Sequence, residues 1–195
     1  MKCGPLVLSI LVSACASTTI TSFVDPDFKG RKYSSFVVVT PNLNLEYASL
    51  LQGAVCKSLV GHGATCARSL DMFPPTRNYT GQQIAEALQA KRVTAYLVVT
   101  YGGGGTSSTQ VGTMAYGSAT VSSNTVTAYG SAVPITSFKP TDGYEVVLID
   151  TATFNKAWIG GAKTQASGLA NITDSVFTSS LAKEVAAQLS SAGLL

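Results

Sequence analysis

Charge is the scarcest property of this chain. Asp, Glu, Lys and Arg together make up 12% of its 195 residues, about half the ~25% usual in soluble domains. The formal net charge of +3 is small and scattered along the chain, which excludes the concentrated basic face that a nucleic-acid partner needs. Histidine occurs once, at position 62. That removes most metal sites and most imidazole acid–base schemes, so neither a metal nor a cofactor is expected. No Gly-x-Ser-x-Gly elbow presents a nucleophilic serine, and the few carboxylates fall where helix capping and solvation account for them. No catalytic residue can be named. Long apolar runs are missing too: none approaches the ~20 residues of a membrane-spanning helix.

What is present begins with an address. Lys2 precedes a short apolar stretch, Pro5 to Val12, in the pattern of a secretory leader. The stretch ends Val12-Ser13-Ala14-Cys15. This resembles the lipobox of bacterial lipoproteins: a branched apolar residue, two small ones, then cysteine. The small residues let the backbone enter a peptidase cleft, and the thiol is the group alkylated. The resemblance implies cleavage after Ala14, a signal peptide of residues 1–14, and a mature chain lipidated at Cys15. Three acyl chains exceed the two membrane signals that stable anchoring requires. Ala16 follows where an Asp would mark inner-membrane retention. By that sorting rule the resemblance implies the periplasmic face of the outer membrane of a Gram-negative cell. An ordinary secretory leader with a chance cysteine is the blander alternative. Residues 15–33, rich in Ser and Thr without a sustained period, read as a lipidated tether that ends near the turn signal Asp25-Pro26-Asp27.

Residues 34–195 read as one α/β (α+β) domain with a mixed sheet. Ser35 to Thr40 is a β-branched run suited to a strand buried on both faces. Leu45, Ala48, Leu51, Val55 and Leu59 recur at helical spacing, and Gly61 and Gly63 stop that helix. A strand follows near residues 64–69. Thr80-Gly81-Gln82-Gln83 is a capping box that opens a second helix burying Ile84 and Leu88. Residues 95–101 form another central strand, so the start reads β-α-β-α-β. A C-terminal hairpin is expected over residues 144–164, then a helix from Thr173 or Asp174 with Phe177, Leu181, Val185 and Leu189 as its buried stripe. Val37, Val39, Leu97, Val99, Val146 and Leu148 complete the expected core.

Residues 102–136 differ from the rest. The Gly/Ser-rich stretch 102–108 reads as a flexible connector into a low-complexity β insertion. Within that insertion Ala115-Tyr116-Gly117-Ser118-Ala119 recurs as Ala128-Tyr129-Gly130-Ser131-Ala132, as two arms of a hairpin would. Tyr116 and Tyr129, aromatic residues on a Ser/Gly-rich segment, are the candidate partner contacts. The glycine run lacks the Gly-Lys-Ser/Thr of a phosphate-binding loop. Cys56 and Cys66 stand on consecutive elements. They read either as a disulfide, worth roughly 2–3 kcal/mol for so short a loop, or as two buried thiols. His62, at a helix end, reads as a cap facing the helix dipole.

The succession of elements, with Tyr79-Thr80-Gly81-Gln82-Gln83-Ile84, Ala95-Tyr96-Leu97-Val98-Val99, Leu148-Ile149-Asp150-Thr151 and Ala157-Trp158-Ile159-Gly160, resembles small periplasmic lipoprotein modules. Those modules are domains of the curli-secretion lipoprotein, of the penicillin-binding-protein activator lipoproteins and of several uncharacterised lipoprotein families. The likeness spans about residues 34–193 and lies in core patterning, so no functional residue carries over. It implies a non-enzymatic, lipid-anchored envelope protein acting by protein–protein interaction or assembly. The partners are then the membrane, through the anchor, and envelope proteins of unknown identity, with homo-oligomers left open. An envelope hydrolase and a periplasmic carrier of a small apolar ligand are the two alternatives.

Overall fold

The computed structural model describes residues 15–122, 125–167 and 173–195, with side chains over 16–105, 141–166 and 173–195. The expected signal peptide, residues 1–14, lies outside the described residues. Ten elements follow in order: β1 Cys15–Val24, β2 Ser35–Val39, α1 Leu45–Gly61, β3 Thr65–Arg68, α2 Ser69–Met72, α3 Gly81–Ala90, β4 Ala95–Ser122, β5 Thr125–Asp150, β6 Lys156–Ser167 and α4 Asp174–Ser191. The strands form one open sheet in the order β1-β6-β5-β4-β2-β3. β2 runs parallel to β3 and β4, whereas β4–β5, β5–β6 and β6–β1 are antiparallel. The chain is therefore a single α+β domain with a mixed sheet, as its element pattern predicts.

Hydrophobic periodicity explains the layers. On one face of the sheet Ala95, Leu97 and Val99 of β4 and Val146 and Leu148 of β5 meet α1 and α4 in the main core. Leu51, Val55 and Leu59 of α1 and Leu181, Val185 and Leu189 of α4 are fully buried there. On the opposite face α3 covers only the β2–β3–β4 side, where Leu88 packs with Val37 and Val93. Of the expected core, Val39 and Ile84 are half-buried, because they border that smaller cluster. The local signals act as read. Thr80 and Gln83 close a reciprocal capping box on α3, whereas Thr173 occupies the N-cap position of α4 without a side-chain capping bond, its hydroxyl meeting Ser175 instead.

Two expectations need correction. Residues 15–33 are not a tether. Cys15–Val24 is β1, an edge strand paired with β6 from Cys15↔Ser167 to Val24↔Trp158, and Pro26–Phe28 then forms a single 3-10 turn capped by Asp25. Ala16, Thr18 and Ile20 are shielded in alternation with exposed Ser17, Thr19 and Thr21, a period of two that hydroxyl side chains disguise. Thr18 Oγ1 hydrogen-bonds both Thr164 (2.8 Å) and Ser180 (2.9 Å), which satisfies a polar group that faces the core side. The hairpin expected over 102–136 is present, but no flexible connector leads into it. β4 and β5 form one continuous ladder from Ala95↔Asp150 to Ser122↔Thr125, with register shifts at Tyr101/Gly103 and Gln110/Gly112. Main-chain pairing needs no side chain, so the glycines extend the strand that the buried base begins.

Candidate functional site

A cluster of tyrosines around one carboxylate sits where the long hairpin leaves the body. Tyr101 of β4 and Tyr144 of β5 are opposite one another in the ladder, and their rings meet edge to face at 5.5 Å. Tyr101 donates its hydroxyl proton to Asp142 Oδ1 at 3.2 Å, and Tyr144 donates to Asp142 Oδ2 at 3.3 Å. Tyr144 has only one proton to give, so its oxygen accepts from the Tyr47 hydroxyl of α1. The chain Tyr47→Tyr144→Asp142←Tyr101 thus ties α1 to the base of the hairpin.

Electrostatics keep this chain protonated at every tyrosine. Burial pushes the Tyr47 hydroxyl up to about 12, against a lowering contribution from its bond to Tyr144. Burial first, then the hydrogen bond with Tyr47 and the charge of Asp142, raise the Tyr144 hydroxyl well above the tyrosine range. Burial and then Asp142 raise Tyr101 in the same direction. All three are donors at neutral pH, so the cluster positions the strands and does not exchange protons there.

A register shift makes the geometry possible. Gly102 is the extra residue between Tyr101 and Gly103, and Gly103 adopts φ +112°, which a side chain would strain. At Gly104 an added Cβ would lie 2.3 Å from Asp142 Oδ1, 2.5 Å from the Tyr101 hydroxyl and 2.9 Å from the Thr141 carbonyl. Gly104 therefore serves close backbone approach. A shallow cavity of about 470 Å³ lies beside it, lined by the glycines, Thr141 and Lys163. A larger open groove, about 620 Å³, runs between β1 and α4 and is lined by Ser17, Thr18, Ser175, Ser179, Ser180 and Lys183.

The residues singled out in the sequence fall in separate places. Cys15 is the first residue of β1, in register with Ser167. Cys56 on α1 and Cys66 on β3 are joined by a disulfide, with Cα atoms 5.2 Å apart. Tyr116 pairs with Ser131, and Tyr129 with Ser118, in the outer ladder of the hairpin. That outer ladder does not meet the Tyr47–Tyr144 cluster. His62 is the C-cap of α1, and its Nδ1 lies 3.0 Å from the Ser58 carbonyl oxygen. Trp158 is 1% exposed and belongs to the core. Two other carboxylates hold local structure. Asp71 takes a two-point contact from Arg68 at 2.7 and 2.8 Å. Asp150, 1% exposed, pairs with Arg31 at 2.9 Å and caps its own turn through Ala152 and Thr153. Asp142 stood among the carboxylates that the sequence shows, but its tyrosine partners are 41 and 2 positions away and Tyr47, bonded to Tyr144, lies 97 positions from that residue, so spacing gave no signal. Among the described residues no group of three or more His, Cys, Asp or Glu is placed to hold a metal ion.

No protein-family model matches the chain, and no curated protein matches it. Among solved structures it is similar to the PelC dodecamer from Paraburkholderia phytofirmans, at 13% identity and TM-score 0.49, over 91% of this chain and 99% of that one. It is also similar to the lipoprotein GNA1162 from Neisseria meningitidis, at 17% identity and TM-score 0.43, over 81% of this chain and 99% of that one. Likenesses this remote carry no function across.

Proposed function

We propose that the protein is a lipid-anchored, non-enzymatic component of the bacterial cell envelope that acts by assembling with other envelope proteins. Cys15 is the anchor, on the periplasmic face of the outer membrane, and the contact lies on residues 112–132, with Tyr116 and Tyr129 at its centre. The observation that carries this reading is the hairpin itself. β6 pairs with β5 only as far as Thr141↔Gln165. Beyond that level, among the described residues, β4 and β5 pair only with one another. Two free strand edges on an uncharged ribbon are a template for pairing with another chain. The carrier alternative has less support, since the cavities described are open grooves.

The test has two arms. Cys15→Ser should leave a chain that no longer partitions into detergent, and equal partition of parent and variant would remove the anchor. Replacing residues 112–132 by a short Gly/Ser turn should keep the sheet and abolish the crosslinked species formed by the parent in isolated envelopes. If the same crosslinked species persist, the contact lies on the body instead.

A further inference from the structure

We propose that the outer edge of β1 receives an extended segment of another protein, added to the sheet as a further strand beside α4 and carrying an acidic side chain to Lys183. This contact lies on the body. It goes beyond the one assigned to residues 112–132 and rests neither on that assignment nor on the anchor.

The edge is open where edges are usually guarded. β1 runs for ten residues, Cys15–Val24, about 33 Å at the rise of a strand. Among the described residues it pairs only with β6. The register with β6 is unbroken from end to end, so no bulge turns the edge away. The strand holds no charged residue and no proline, two of the side-chain devices that keep an edge from pairing. One bond fixes which groups face outwards. Asp25 donates its N–H to the Ala157 carbonyl at 3.0 Å, and these two residues follow Val24↔Trp158 in register. Antiparallel pairs alternate between bonded and non-bonded. The odd-numbered residues of β1 therefore bond to β6, and Ala16, Thr18, Ile20, Ser22 and Val24 turn both N–H and C=O to the free side. The 2.8 Å contact between the hydroxyls of the paired Thr18 and Thr164 agrees with this phase, since non-bonded pairs bring side chains closest.

A groove alongside supplies the selectivity. It measures about 620 Å³ and is lined from β1 and α4. Ser175, Ser179 and Lys183 recur there at every fourth position, so a single stripe of α4 forms the wall, and all three are exposed. A strand added to β1 would lay alternate side chains over this wall. Hydroxyls favour polar ones, and one charge favours an acid. Glu184 already accepts from Gln188 Nε2 at 3.0 Å, whereas Lys183 has no ion pair among the described residues. That charge decides the occupant. A second copy of β1 brings no carboxylate, because the strand has none. A segment of another protein with Asp or Glu at a groove-facing position does.

The test uses the full chain and a fluorescein-labelled synthetic strand as long as β1, alternating Val and Thr with one central Thr replaced by Glu. Anisotropy should show saturable binding. A strand presents its N–H groups alternately to its two sides. N-methylation of every second amide should therefore weaken binding roughly tenfold in one phase and leave it unchanged in the other. Ser22→Pro deletes an outward N–H at an exposed position, so it should weaken binding with circular dichroism and Tm unchanged. Thr21→Pro deletes an N–H that bonds to β6 and should lower Tm. Lys183→Gln should weaken the Glu strand severalfold and leave an otherwise identical Gln strand unaffected. The methylated strands are read on the parent chain, so the outcome does not hang on how Ser22→Pro folds. Absence of binding overturns the proposal, as do two methylation phases that bind alike, or a Glu strand held equally by parent and Lys183→Gln. A parent that is dimeric by light scattering while Ser22→Pro is monomeric assigns the edge to a second copy and overturns it too.

Discussion

Gly160 is where the packing makes its sharpest demand. Trp158 and Gly160 lie two residues apart on β6 and so share the core face. The indole of Trp158, 1% exposed, occupies the space that a Cβ on Gly160 would need. That atom would lie 2.5 Å from Trp158 Cη2, 3.0 Å from its Cζ2 and 3.0 Å from Ile20 Cγ2 of β1. Gly160 has an ordinary extended backbone, so Gly160→Ala should gain roughly 0.5–1 kcal/mol from the restricted unfolded chain. Against this stands overpacking of a rigid, enclosed ring, typically ~1–3 kcal/mol. The clash wins, for a net loss of about 1–2 kcal/mol, a fall in Tm of ~2–8 °C for a chain this size. Trp158 is the sole tryptophan, so urea unfolding followed by its emission reports both the stability and the displaced ring. The decisive measurement is a cycle. Trp158→Phe removes the benzo half of the indole that holds Cη2 and Cζ2. In that background, monitored by circular dichroism, Gly160→Ala should be neutral or stabilising. A coupling of at least ~1 kcal/mol follows. Equal effects of Gly160→Ala in both backgrounds would refute the argument.

Other perturbations follow from the same structure. Removing the Cys56–Cys66 bond by a double alanine substitution should cost roughly 2–3 kcal/mol, the entropy of reopening a loop of about ten residues; chemical denaturation measures it, and alkylation mass spectrometry without reductant should find neither thiol free. Arg31→Ala strips the counter-charge from Asp150, which is 1% exposed, and should cost about 1–3 kcal/mol, with Arg31→Lys recovering part of it. Stability should fall as pH rises from about 10 to 12. Tyr33, raised to about 12 by burial and then by the Asp150 charge, and Tyr47, raised to about 12 by burial, stay protonated in the folded state while the unfolded chain ionises from about 10. A phenolate titration in which these hydroxyls ionise freely near pH 10 with the fold intact would contradict it.

The sequence disclosed most of the body because its strands and helices bury in simple periods. Val37, Leu97, Val99 and the α4 stripe were readable from spacing alone, as was the capping box at Thr80. β1 was not, since Thr18 is as polar as its outward neighbours, and what makes Cys15–Val24 a strand is β6, some 140 residues later. The hairpin was recognised from its echo but misjudged at its base, where glycine marks a tight approach that only the three-dimensional neighbours of Gly104 reveal. The Tyr47–Tyr144–Asp142–Tyr101 chain was invisible for a related reason. Its members come from three elements, and tyrosine in a strand pattern looks the same whether its hydroxyl has a partner or not.

The first and last of the described elements meet, and this sets an order of events. β1 finds its sheet partner only in β6, rests on α4 through Thr18 and Ser180, and leads to Tyr33, whose backbone N–H is taken by the Leu194 carbonyl. Contacts this distant in sequence carry the full cost of loop closure and form late. A chain that emerges N-terminus first therefore keeps the Cys15 segment extended and accessible until its last helix is made, so an enzyme acting on that cysteine, as the proposed anchor requires, would meet an unfolded peptide. Docking of β1 then works as a latch that closes the sheet edge and, under the proposed anchor, draws the finished body towards whatever holds Cys15. A chain truncated before α4 lacks the seat for that latch, and its N-terminal strand should remain open to protease.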